Sequence, residues 1–164
     1  MKLDATALKR LTYAKYLHGT AADGLHSTSP IVAAEALLRV HDSVEIFQLV
    51  VLDSLNASTK FEFMDFWERV KTKTGKEPPY KDRFGQLNHM RVGFKHKGVA
   101  PNLSELREVA AVIWPFFVEV SQDFLGVDFA NQSLAVLVDD VSFQEHMGKA
   151  DVLIAAHNYV DALA

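Results

Sequence analysis

An arginine followed after four residues by a histidine, Arg91 and His96, lies in the segment Leu87-Asn88-His89-Met90-Arg91-Val92-Gly93-Phe94-Lys95-His96-Lys97-Gly98. A guanidinium can grip a phosphate through two parallel hydrogen bonds, and an imidazole can move a proton near neutral pH. Together they are a minimal set for cleaving a phosphodiester. Spacing alone does not single the pair out, because Arg83 and His89 form a second pair with five residues between them. The surroundings add more. Between Lys81 and Lys97 stand five of the seventeen Lys and Arg residues but only one of the twenty-one acids, Asp82. This local charge of +4 leaves −8 on the remainder of a chain whose net charge is −4. A basic patch on an acidic body suits a local site for a phosphate-bearing ligand; it also suits an ordinary solvated helix face. Lys95, Lys97 and His89 are the candidates for holding a phosphate-bearing ligand near the pair, and no bound metal or cofactor is expected.

A chain of 164 residues with 49% hydrophobic and 23% charged residues has the makings of a folded domain with a continuous core. No apolar run approaches the roughly 18 residues of a spanning helix, and Met1-Lys2-Leu3-Asp4-Ala5 lacks the apolar stretch of a secretory signal. A cytoplasmic protein that does not engage a membrane is expected. The absence of cysteine removes disulfides, thiolate metal sites and cysteine nucleophiles.

The apolar spacing predicts helices throughout. Asp4 to His18 reads as a first helix, followed by a polar arm from Gly19 to Thr28. Ser29-Pro30 is a helix start, with Ser as cap and Pro at the first position, and that helix runs to about Ala57. On it Ala33, Leu37, Val40, Val44, Phe47 and Val51 recur at intervals of four and three, the mark of a buried face. A second stripe, Ile31, Leu38, Glu45 and Leu52, lies about 100° around, with His41, Asp42 and Gln48 beside it. It reads either as a solvated flank or as the lining of a cleft or subunit interface. In the latter case His41, Glu45 and Gln48 support the site. His41 and Glu45, four apart, share a face as a metal-binding pair would, but no second pair at matching spacing accompanies them.

Phe61 to about Lys73 predicts a short helix with Phe63, Met64, Trp67 and Val70 in the core. Pro79 opens the helix carrying Arg91, whose apolar line Tyr80, Phe84, Leu87 and Phe94 leaves Arg91 where another apolar residue would fall; Arg91 is therefore expected to be partly buried. Gly98 ends that helix, and Asn102 with Glu105 has the spacing of a capping box for the next. There Leu103, Leu106, Ala110, Ile113, Phe117, Val120 and Phe124 form the strongest core stripe, with a kink expected at Pro115. Ser142 to about Ala156 and Asn158 to Ala164 read as further helices. The expected fold is an all-α antiparallel bundle of four to five main helices over residues 1–126, its core about 29–125. A helical extension, residues 127–164, is expected to lead into a further domain of a longer protein.

Five helical steps put Arg91 and His96 about 140° apart, so the two cannot converge on one atom from a regular helix. Either the last turn unwinds near Gly93 or Gly98, or two copies of the chain share each site across a twofold axis. A homodimer would also gather His89 and His96, which lie on nearly one face.

With the arginine, four residues and then the histidine, and with Lys95-His96-Lys97-Gly98 extending it, the chain from about Ser29 to Leu125 resembles the HEPN superfamily of small helical bundles. The resemblance implies metal-independent endoribonuclease activity on RNA, single-stranded by preference, at a site formed in a dimer. Arg91 would bind the scissile phosphate and His96 would transfer a proton during attack by the RNA 2′-hydroxyl. It also implies a setting in toxin or antiviral defence systems, in some cases with an antitoxin-like partner. Nuclease members often carry Asn, Asp or His directly after the arginine, where this chain has Val92. Inactive members serve as dimerisation or ligand-sensing modules of larger proteins, and that is the alternative the resemblance carries.

Overall fold

The structure, a computed structural model, describes residues 3–162. Among them every regular element is helical. The helices are α1 (Ala5–Leu25), α2 (Pro30–Ser54), α3 (Phe66–Thr74), α4 (Lys81–Lys97), α5 (Leu103–Val120), α6 (Val141–Ala155) and α7 (Tyr159–Ala162). None of them is long and apolar enough to cross a membrane. Residues 1–2 at the N-terminal start and 163–164 at the end of the expected last helix lie outside the described residues.

α2 is the axis of the bundle and meets α1, α3, α4 and α5. Its apolar stripe is buried as its spacing predicts, with Ala33, Leu37, Val40, Val44, Phe47 and Val51 all closed to solvent. Phe47 packs against Phe117 at 4.7 Å and Phe116 at 5.5 Å on α5 and against Phe129 at 5.8 Å beyond it. On α4, Phe84 meets Phe116 at 4.4 Å, and Leu87 and Met90 continue the buried line. Two surface links fasten α4 and the residue before it to α5: the Tyr80 hydroxyl donates to Glu119 at 3.0 Å, and Arg83 pairs with Glu108 at 2.9 Å.

Several local expectations are corrected. α1 does not give way to an arm at Gly19 but runs to Leu25, because Leu11, Ala14, Ala21 and Leu25 keep one buried face through both glycines. Gly24 is required there: a Cβ on it would stand 2.7 Å from that of Ala36 on α2. α2 begins at Pro30, but the Ser29 side chain makes no cap bond; the Ser27 hydroxyl instead accepts the Ser29 N–H at 3.1 Å. The aromatic helix starts later than Phe61, with a 3₁₀ turn at Phe63–Asp65 leading into α3, and Phe66 joins Phe63, Trp67 and Val70 in the core. α4 opens at Lys81 rather than Pro79, since the Pro79 carbonyl accepts the Trp67 indole N–H at 3.0 Å and Tyr80 turns the chain through φ 63°.

Asn102 caps α5 by accepting from Ser104 and Glu105 N–H groups at 2.9 and 3.2 Å, which is the first half of the expected box. α5 remains α-helical through Pro115, which supplies no N–H to the helix, and passes into a π turn at Ser121–Leu125. α6 packs on the turn Leu134–Leu137 and on α7, with no buried residue of its own.

Candidate active site

α4 stays regular from Lys81 to Lys97. Gly98 stops it at φ 66°, its N–H donating to the Phe94 carbonyl at 3.0 Å while Val99 N–H reaches the Gly93 carbonyl at 3.2 Å. Those two bonds close the helix end in the manner that a left-handed glycine permits. The last turn is therefore wound, and Arg91 and His96 remain about 140° apart within one chain.

The candidates divide between two faces of α4. Asn88, Arg91 and Lys95, spaced three and four, form a stripe beside the buried Leu87 and Met90. Arg91 is half-buried, as its apolar register predicts, and Lys95 is exposed. The stripe faces the polar flank of α2. There His41 is buried, its Nε2 lying 3.3 Å from the Asn88 Oδ1 and its ring stacked on Phe63 at a centroid distance of 4.3 Å. His41 Nδ1 lies 3.4 Å from a carboxylate oxygen of Glu45. Glu45 titrates below the usual carboxylate range, first because of the His41 imidazole and further because of the positive charges of Arg91 and Lys95; partial burial opposes the shift. Gln48, one heptad beyond His41, is fully buried, and neither polar atom of its side chain has a hydrogen-bond partner among the described residues.

His89 and His96 lie on the other side of α4, both exposed. His89 lines an open groove of about 370 Å³ with Met64, Gln86, Met90 and Glu105, away from Arg91. Lys97 is exposed in the last turn. One subunit thus brings Arg91 and Lys95 together with His41 and Glu45, and does not bring His89, His96 or Lys97 to them.

The basic patch is narrower than the charge count suggests. Lys81 lies 3.7 Å from Glu77, and Arg83 is engaged by Glu108. Among the described residues Arg91, Lys95 and Lys97 form no ion pair within 4.0 Å. The charge not held in an ion pair sits at the C-terminal end of α4, near enough to Glu45 to lower its pKa, where cations also complement the helix dipole.

Two residues of the site had no role assigned from the sequence. Asn88 bridges α4 to His41; its spacing to Arg91 and Lys95 was visible, but not which face of α4 meets α2. Asp42 joins His41 and Glu45 in a cluster whose ligand atoms all lie within 4.8 Å of one another. Comparison of the chain with known protein families, with curated proteins and with solved structures gives no match, which leaves its own residues and geometry as the basis for a functional reading.

Proposed function

We propose that the chain is a HEPN-type endoribonuclease that cleaves single-stranded RNA without a metal ion and works as a homodimer. The observation that carries the reading is Arg91: a half-buried guanidinium on a rigid helix, beside exposed Lys95, with no acid at ion-pair distance among the described residues. A guanidinium spent on structure would be locked to a carboxylate, as Arg83 is. In the proposed reaction the 2′-hydroxyl oxygen attacks phosphorus and the bond to the 5′-oxygen breaks, leaving a cyclic phosphate and a 5′-hydroxyl. Arg91 stabilises the charge gathering on the phosphoryl oxygens, and His96 is the proton-transfer group. Because α4 is wound to its end, each site takes Arg91 from one subunit and His96 from the other. Exposed Val92 and Val99, apolar neighbours of the motif, are suited to such an interface. A place in a defence system, with an antitoxin-like partner, rests on the sequence resemblance alone.

A second reading is a non-catalytic dimerisation or ligand-sensing module of HEPN type. Val92 favours it, since it offers no polar support to a phosphate held at Arg91. Cleavage of a mixed-sequence RNA in chelator, by the native protein and by folded His96→Ala and Arg91→Ala variants, separates the two. Activity in the native protein that falls ~10²-fold or more in each variant supports the enzyme. A native protein that cuts nothing, or three proteins that cut equally, supports the module.

A further inference from the structure

The polar contact between α2 and α4 leaves one buried nitrogen, His41 Nδ1, without a hydrogen-bond partner among the described residues. Asn88 Oδ1 can only accept, so the facing His41 Nε2 donates to it, and the 3.3 Å bond fixes the ring together with the Phe63 stack. In the neutral imidazole this leaves Nδ1 with a lone pair, in a side chain only 1% exposed, pointing at the Glu45 carboxylate 3.4 Å away. The approach lacks hydrogen-bond alignment, and Nδ1 has no hydrogen-bond partner among the described residues. A buried acceptor facing a carboxylate calls for a positive group between them, and the 43% exposure of the Glu45 side chain lets one reach it from solvent.

The spacing fits a metal ion. Two ligands about 2.1 Å from a tetrahedral zinc stand about 3.4 Å apart, the separation found between His41 Nδ1 and the Glu45 oxygen. Asp42, one residue after His41 and three before Glu45, supplies the third ligand within the same 4.8 Å cluster. Its exposure leaves the fourth position to water. A ligating histidine whose other ring nitrogen is held by an amide oxygen is the usual outer-sphere arrangement at such sites. One imidazole with two carboxylates selects a first-row divalent ion such as zinc over calcium or magnesium, which prefer oxygen alone. The two carboxylates balance the charge of the ion itself, and the nearby Arg91 and Lys95 act against it, lowering its affinity.

We infer that His41, Asp42 and Glu45 form a zinc-class metal site on α2, oriented by Asn88 from α4. The site lies beside Arg91 and Lys95 but takes no part in the RNA chemistry proposed above, which needs no ion, and RNA cleavage does not test it. The experiment is calorimetric titration of the metal-stripped protein with zinc chloride at neutral pH, paired with thermal unfolding with and without zinc. One equivalent should bind per chain and raise the unfolding temperature. The partly exposed ligands permit variants that keep the buried imidazole. Glu45→Gln and Asp42→Asn should each weaken binding by more than about tenfold, and Asn88→Ala by about 10- to 100-fold, with Asn88→Asp restoring it. Absence of binding at 100-fold excess overturns the inference and leaves a proton to fill the gap. Binding that is indifferent to Glu45→Gln and Asp42→Asn overturns it equally, by placing the ion elsewhere, for instance at exposed His146 or His157.

Discussion

Subunit mixing tests the proposed shared site directly. In the structure α4 is unbroken from Lys81 to Lys97, so Arg91 and His96 of one chain are separated by about 140° around the axis and about 7.5 Å along it. Take Arg91→Ala, which keeps its histidine, and His96→Ala, which keeps its arginine, and allow dissociated subunits to re-form dimers at equal concentration. Random pairing makes about half of the dimers mixed, and in each mixed dimer one of two shared sites holds both groups. The mixture should recover about a quarter of native activity. Each variant alone should retain ~10⁻² to 10⁻³ of it, from loss of a phosphate donor or of the proton-transfer group. The gain on mixing is therefore at least about 25-fold, measurable by release of a fluorescent fragment from a short RNA. A mixture no more active than the mean of the two variants, with mixed dimers verified by mass, would refute the shared site and the reasoning from the intact helix.

The glycines of α1 give an internally controlled stability test. Gly24→Ala should destabilise, since the ~1–3 kcal/mol of crowding against Ala36 outweighs the helix propensity gained, whereas Gly19→Ala, with nothing within 4 Å, should stabilise by ~0.5–1 kcal/mol; urea unfolding of both variants checks the opposite signs. Glu45 has a folded-state pKa below its ordinary 4.5, so it contributes stability above that pH that disappears as pH falls through the depressed value. The stability gap between native protein and Glu45→Gln should accordingly shrink below pH 4.5, and an unchanged gap in urea midpoints at pH 7 and pH 3.5 would count against it. Lys95→Gln and Lys97→Gln should raise KM more than they lower kcat, and each should reduce the salt dependence of RNA binding by about 0.7 in log–log slope if it contacts a phosphate.

The sequence by itself determined the helical class and most of the buried faces. Intervals of three and four on α2 and α5 leave little alternative to a bundle, because only a helix places those side chains on one side. It also set the end of α4 at Gly98 and the half-burial of Arg91, since both follow from position within a single helix. The continuation of α1 was half legible: Leu11, Ala14, Ala21 and Leu25 keep the heptad, but two glycines weaken a helix until a neighbour needs the room that Gly24 leaves over Ala36. Only the tertiary structure decided how each helix is rotated against the next. That rotation turned His41 and Gln48 from a candidate solvated flank into buried groups, opposed Asn88 to His41, and consumed the charge of Arg83 on Glu108 while leaving Arg91 unpaired among the described residues. Periodicity fixes which side chains share a face, whereas the partner of that face is set by packing between segments 25 to 47 residues apart, as for Arg83 with Glu108 and His41 with Asn88.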